Sequence, residues 1–193
     1  MNRKQRRTLK KKKVVKTHKL LKLDFGCGKT PREGFEGVDA RDFGQKHIVD
    51  LTKPWPWKNG SVEEAHCSHF IEHLTGEQRI HFVNELYRVL IPDGKCLVIV
   101  PHWASGRAYG DLTHQWPPVS EFWFYYLSKP WRAANAPHND KYECDFAVGW
   151  GYNLHPEIQQ RNPEYQQEAL KFNKEAAQDT IATFTKIEAK KGK

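Results

Sequence analysis

The chain has 193 residues, enough for one domain with a core of its own. Apolar residues make up 38% of it, and no apolar run approaches the roughly 18 residues that cross a bilayer, so we expect no membrane anchor. The net charge of +8 comes from one end: residues 1–22 hold eleven of the 31 Lys and Arg residues and no acid. The remaining residues carry 20 basic and 23 acidic side chains, so the basicity belongs to a tail.

We predict that residues 1–18 form a disordered basic tail, because a block of like charges repels itself and buries no core. Two interpretations stay open: the tail contacts nucleic acid or another acidic partner, or it only aids solubility. The basic start lacks an apolar region behind it, which argues against a secretory signal. The four cysteines lie far apart, which is typical of reduced thiols in a cytoplasmic protein.

Beyond the tail, strand-like and helix-like segments alternate. Short apolar runs predict strands at 20–25, 35–40, 47–50, 62–69 and 95–100, and apolar spacing of three and four predicts a helix over 77–90. Pro92-Asp93-Gly94 indicates a turn. Strands separated by helices favour an α/β domain with a mostly parallel sheet. The C-terminal segments are predicted as an aromatic helix or strand at 120–127, a strand at 143–150, a helix at 163–179 begun by Asn162 and Pro163, and a strand at 183–187.

The most informative segment runs from Leu20 to Asp39. It contains a strand, the turn Gly26-Cys27-Gly28, and a second strand that ends in a carboxylate. A carboxylate at a strand end can bind both hydroxyls of a ribose, so this layout suits a nucleoside cofactor. A plain hairpin, in which the glycines serve only the turn, is the structural alternative.

Three kinds of glycine-rich ligand site could explain this segment. A phosphate-binding P-loop would need glycine at position 23, which is Leu23. A dinucleotide fingerprint would need a third glycine at Pro31, and only six residues separate Gly28 from the next strand. Such a crossover leaves no room for the helix whose N-terminus binds a pyrophosphate. S-adenosylmethionine has no phosphate, so the short crossover favours this cofactor over a dinucleotide, and a dehydrogenase becomes a distant alternative.

The chain resembles the class I S-adenosylmethionine-dependent methyltransferases of the small type often found in bacteria and phages, similar to methyltransferase type 11. The resemblance is carried by LDFGCG (23–28), GVDA (37–40), residues 49–74 and residues 85–102. It implies a Rossmann-like three-layer αβα sandwich with a mostly parallel sheet and a shortened first crossover helix. The domain would span 19–193, with a core at about 19–130 and a C-terminal extension at about 131–193. One departure is Thr30, where many relatives have a third glycine.

The resemblance also implies residue roles. Asp39 would accept hydrogen bonds from the ribose hydroxyls, and Asp50 and Leu51 would contact the adenine. The methionine end and the transferable methyl group would lie near the remaining predicted cofactor residues, Asp24, Gly26, Cys27, Gly28 and Ser68.

We predict catalytic candidates at the strand ends, because ligands of open α/β sheets bind outside the carboxyl ends of the strands. A general base is needed only if the acceptor must lose a proton. The candidates are His69, His102 and the pair Asp111 and His114, and each has ordinary packing as its alternative.

The segment His69-Phe70-Ile71-Glu72-His73 has the H-x-x-E-H spacing of an inverted zinc-protease motif. That motif needs a helix and a further ligand, and here it follows a strand, so we predict no metal. The sequence predicts no acceptor and no oligomeric state. The overall expectation is a methyltransferase with an unidentified acceptor. The alternative is a nucleic-acid-associated protein that binds the cofactor without turnover.

Overall fold

The computed structural model describes residues 19–188, so the predicted tail lies outside the described residues. Seven strands form one sheet in the order β3-β2-β1-β4-β5-β7-β6. The strands are β1 (Leu21–Phe25), β2 (Glu36–Asp39), β3 (His47–Ile48), β4 (Val62–Ser68), β5 (Leu90–Pro101), β6 (Phe146–Leu154) and β7 (Ala177–Lys186). The first five are parallel to one another, and β7 is antiparallel to both β5 and β6. The predicted Rossmann-like α/β class with a mostly parallel sheet is confirmed.

Six α-helices accompany the sheet in the described part of the chain. They are α1 (Gly76–Val89), α2 (Arg107–Gly110), α3 (Glu121–Tyr125), α4 (Lys129–Asn135), α5 (Pro156–Gln159) and α6 (Pro163–Phe172). None of them is long and apolar enough to cross a membrane. The crossover at 26–35, all of which is described, contains turns and no helix, as the six-residue gap predicts.

The core lies between α1 and one face of the sheet. Thr75 and Gln78 form a reciprocal capping box that fixes the start of α1, and the helix buries Phe82, Val83, Leu86 and Val89. Phe25 from β1 packs against Trp55 and Phe82, with ring centroids 4.6 and 5.7 Å away. Because Leu23 and Phe25 point to this face, the alternation along β1 directs Asp24 to the opposite face.

Several boundaries differ from the sequence-based prediction: β7 begins at Ala177 instead of residue 183, and β5 begins at Leu90 instead of residue 95. Helix α6 ends at Phe172, not at residue 179, because Glu175 has a φ of 59° and the chain then enters β7 at Ala177. Strand β6 covers Phe146–Leu154 instead of 143–150. The turn at Pro92-Asp93-Gly94 lies inside β5 as a bulge: Val62 pairs with Leu90 and Glu64 with Lys95, so the residues between them bulge out.

Candidate functional site

The carboxyl ends of β1, β2, β4 and β5 meet at one edge of the sheet, together with the first residues of the antiparallel β7. Two groups of polar residues lie there. We call residues 24–39 and their partner His66 the glycine-turn site. We call His69, Glu72, Arg107 and Asp179 the His69 cluster.

The glycine-turn site is organised by backbone hydrogen bonds. Gly26 and Gly28 have φ values of 67° and 54°, the left-handed region that glycine adopts without strain. The amide of Gly28 donates to Asp39 Oδ2 at 3.1 Å, and the amide of Arg41 donates to Oδ1 at 3.0 Å. Asp39 is half-buried, and both of its oxygens keep lone pairs for a further donor. The turn and the carboxylate at the end of β2 are therefore held together as one unit.

Asp24 is buried, and its carboxylate is engaged on both oxygens. Oδ1 lies 2.7 Å from His66 Nδ1, and Oδ2 accepts from the amide of Arg32 at 2.7 Å. Asp24 thus fixes the far end of the loop that Gly26 begins. His66 and Arg32 were not predicted as site residues. His66 pairs in register with Asp24 on the neighbouring parallel strand and so shares its sheet face, a relation that appears only once the strand order and register are known.

A cleft of about 320 Å³ opens beside this loop. Its walls contain four of the predicted cofactor residues, Asp24, Gly26, Cys27 and Ser68, and in addition Thr30, Arg32 and His66. Burial and the nearby charges of Asp24 and Asp39 raise the pKa of the Cys27 thiol. The loop packs closely, since a Cβ on Gly37 would lie 2.8 Å from Cys27 Sγ.

The two residues predicted to contact adenine lie apart from this cleft. Asp50 is exposed, and its Oδ1 accepts from the amide and the hydroxyl of Thr52 at 2.9 and 2.6 Å, bonds that lower its pKa. Leu51 is 3% exposed and belongs to the core, where its carbonyl accepts from Trp55 Nε1.

The His69 cluster follows β4 and faces the start of β7. His69 has a φ of 52°, and its Nδ1 lies 3.3 Å from Glu72 Oε1 while its Nε2 lies 3.8 Å from Asp179 Oδ1. The hydrogen bond with Glu72 raises the pKa of His69. Arg107 contacts both oxygens of Asp179 at 2.9 and 3.1 Å, and Asn153 donates to Oδ2 at 3.0 Å. Glu72 and Asp179 are both buried, so His69 lies between two buried carboxylates.

Of the other catalytic candidates, His102 and Asp111 lie outside the His69 cluster, whereas a ring nitrogen of His114 lies within 4.8 Å of a carboxylate oxygen of Glu72. His102 is buried at the end of β5, where Nδ1 accepts from the amide of Ala104 and Nε2 lies 3.3 Å from Glu121 Oε1. His114 and Asp111 follow α2, with Nε2 and Oδ2 separated by 3.9 Å. His114 instead lies beside His73, with ring centroids 4.8 Å apart.

The comparisons with known proteins agree with this fold. Residues 36–98, a third of the chain, match the family model described as "Methyltransferase domain". A search of curated protein sequences finds no match. The resemblance stated from the sequence is confirmed. The chain has the fold of the class I S-adenosylmethionine-dependent methyltransferases.

Three solved structures illustrate this similarity. A SAM-dependent methyltransferase from Archaeoglobus fulgidus superposes with a TM-score of 0.61 at 16% identity, over 86% of each chain. The geranyl diphosphate C-methyltransferase from Streptomyces coelicolor A3(2), solved with Mg2+, geranyl diphosphate and S-adenosyl-L-homocysteine, gives 0.52 at 14% identity, over 86% of this chain and 72% of that one. The [4+2]-cyclase SpnF gives 0.51 at 15% identity, over 88% and 76%. At such identities these likenesses concern the fold, and a cyclase is among the proteins that share it.

Proposed function

We propose that this methyltransferase-fold protein binds S-adenosylmethionine at the glycine-turn site and transfers its methyl group to an acceptor held against the His69 cluster. The observation that carries the proposal is the bond between the Gly28 amide and Asp39, at the edge of two parallel strands whose crossover lacks a helix. Asp39 would receive the ribose hydroxyls, and the open cleft beside Gly26 and Ser68 would receive the methionine end. A pyrophosphate would find no helix N-terminus in the described crossover, which disfavours a dinucleotide.

The His69 cluster supports the acceptor side of the proposal. His69 directly follows Ser68, which lines the cleft, and its side chain is partly exposed. Methyl transfer is an in-line displacement from a sulfonium that is already activated, so alignment of donor and acceptor supplies much of the rate enhancement. The carboxylates of Glu72 and Asp179 hold His69 on two sides and would orient it toward an acceptor.

The experiment measures donor binding and transfer separately. Titration calorimetry should detect S-adenosylmethionine and S-adenosylhomocysteine at one site per chain, and tight binding of NAD+ in their place would overturn the proposal. Transfer from radiolabelled S-adenosylmethionine is then screened against nucleic acid, protein and small-molecule pools. We expect His69→Asn to lower transfer by about 100-fold, the lower end of what a positioned general acid or base contributes, while the Kd of the donor stays within twofold. A parallel loss of donor affinity would place His69 in the donor site.

A second candidate is a protein of this fold that binds the cofactor without methyl transfer. It is favoured by SpnF, which has this fold and is named a cyclase. The chemistry at the glycine-turn site is the same for both candidates, so donor binding alone does not separate them. Saturable binding without transfer to any pool, with the full chain including residues 1–18, would favour the second candidate. Nucleic acid as the acceptor or partner stays a proposal that rests on the charge of that tail.

A further inference from the structure

A second group of possible ligands shares Glu72 with the His69 cluster and does not line the cleft proposed for the donor. Glu72, His73 and His114 each offer one ligand atom, and these atoms all lie within 4.8 Å of one another. Glu72 and His73 belong to the short 3-10 turn Ile71–His73, and His114 follows α2. The H-x-x-E-H segment lacked a further ligand in the sequence, and the fold supplies His114 from a distant part of the chain.

Two features hold the segments that carry these residues in place. The amide of Gln115, next to His114, donates to the carbonyl of Glu72 at 2.8 Å. The buried Arg79 side chain donates to the carbonyls of Ile71, Gln115 and Pro117 at 3.2, 3.0 and 2.7 Å. Arg79 therefore joins both segments through their backbones and makes no hydrogen bond with the Glu72 carboxylate. The backbone segments that carry the three side chains are therefore fixed relative to each other.

Both imidazoles have Nδ1 engaged, which leaves Nε2 with its lone pair. His114 Nδ1 lies 3.1 Å from the carbonyl of Ala108, which can only accept, so this nitrogen carries the proton. His73 Nδ1 lies 2.9 Å from Thr113 Oγ1, and that hydroxyl donates to Asp111 Oδ1 at 2.7 Å. His73 therefore donates through Nδ1 as well. Partners of this kind at the second ring nitrogen are what orient metal-binding histidines in proteins.

The carboxylate of Glu72 provides the third observation. Its residue is 4% exposed, and Oε2 has no hydrogen-bond partner among the described residues. Within residues 19–188, Oε1 has only the 3.3 Å contact with His69. A buried carboxylate oxygen without a donor is unfavourable, and a bound cation would satisfy it.

We propose that Glu72, His73 and His114 bind a divalent first-row transition metal. Two imidazoles and one carboxylate suit zinc and its neighbours, whereas Mg2+ prefers oxygen ligands alone. Ligand atoms of a tetrahedral site lie about 3.4 Å apart. Side-chain shifts of about 1.4 Å or less would therefore bring the three ligand atoms to that spacing around an ion. Three protein ligands leave a coordination position open to water or to a ligand, and Glu72 links this site to His69.

The test uses the full chain after treatment with a chelator, with Co2+ as the probe and no S-adenosylmethionine present. Binding then succeeds or fails independently of the proposed methyl transfer. We expect one Co2+ per chain, seen by its visible absorption, displaced by Zn2+ and retained in excess Mg2+. Absence of stoichiometric binding, or displacement by Mg2+, would overturn the proposal.

Variants locate the ion. His114→Asn should weaken Co2+ binding by at least 100-fold, and Thr113→Val, which removes only the orienting hydroxyl of His73, by about 10- to 100-fold. The exposed His138 serves as the matched control, and His138→Asn should bind as the wild type does. Circular dichroism checks that each variant folds. If His114→Asn does not fold, the Co2+ affinity of Thr113→Val tests the proposal. If all three variants bind Co2+ as tightly as the wild type does, the ion binds at another place on the chain and the proposal is wrong.

Discussion

The glycine-turn site and the His69 cluster lie at the same edge of the sheet but are built differently. The first comes from residues 24–39 and His66, and backbone amides fix its carboxylates: Gly28 and Arg41 for Asp39, Arg32 for Asp24. The second combines His69, Arg107 and Asp179 from distant segments and fixes them by contacts between side chains. Hydrogen bonds from backbone amides persist when the side chains of the donor residues change. The donor site therefore suits a ligand that is the same in every protein of this fold. An assembly of side chains suits an acceptor that differs from one protein of this fold to another.

The largest expected effect concerns the donor carboxylate. In Asp39→Ala the ribose hydroxyls lose two hydrogen bonds to a charged group, each worth about 1.5–3 kcal/mol, so we expect S-adenosylmethionine to bind at least about 100-fold more weakly. Calorimetry measures the Kd. Asp42→Ala is the matched control, because Asp42 is exposed and, in the described part of the chain, its carboxylate accepts only from the nearby Gly44 amide. Unchanged affinity in Asp39→Ala would remove the ribose role and with it the proposed donor site.

The two glycines of the turn should differ in their tolerance of a methyl group. A Cβ on Gly26 would lie 2.5 Å from the ring of Phe70, whereas a Cβ on Gly28 would meet nothing within 4 Å. Both residues have positive φ, so each alanine costs about 1–2 kcal/mol of strain, and Gly26→Ala adds about 1–3 kcal/mol of overpacking. Urea unfolding should therefore show a larger loss of stability for Gly26→Ala than for Gly28→Ala.

A double variant tests the cause of that difference. Phe70 adjoins His69, so the contact with Gly26 is where the two sites touch. If the clash with the ring is responsible, Gly26→Ala combined with Phe70→Ala should be less destabilised than the sum of the single variants, by about 1–3 kcal/mol. Strict additivity would mean that the sites are not packed against each other at this point.

The same contrast between the two sites explains which of their residues could be predicted from the sequence. The glycine turn and Asp39 were predicted from a local pattern, because strand, turn and strand follow one another within twenty residues. Asp179 was missed because the helical pattern after Pro163 continues through residues that β7 contains, and the positive φ of Glu175 is not visible in the letters. The proximity of Glu72 and His114 depends on the path of the chain around Arg79, which no local pattern encodes.

The smallest expected effect is the protection of the Cys27 thiol from alkylation when a ligand is bound. Of the four free cysteines, Cys67, Cys96 and Cys144 are buried, and only Cys27 is partly exposed, in the wall of the cleft. Its pKa is raised by burial and by the charges of Asp24 and Asp39, so little thiolate exists near neutral pH. Alkylation of Cys27 should therefore be slow at pH 7 and rise with pH, about tenfold per unit while the pH is below that pKa.

Mass spectrometry after limited alkylation at alkaline pH measures the effect, with the three buried thiols as internal controls for unfolding. Saturating S-adenosylhomocysteine should slow the modification of Cys27, because the ligand would lie over the cleft wall. The control thiols should stay unmodified with and without ligand. If the ligand binds and Cys27 reacts at the same rate, then the donor occupies another part of this edge, and Asp39 and the cleft would have to be assigned to different ligands.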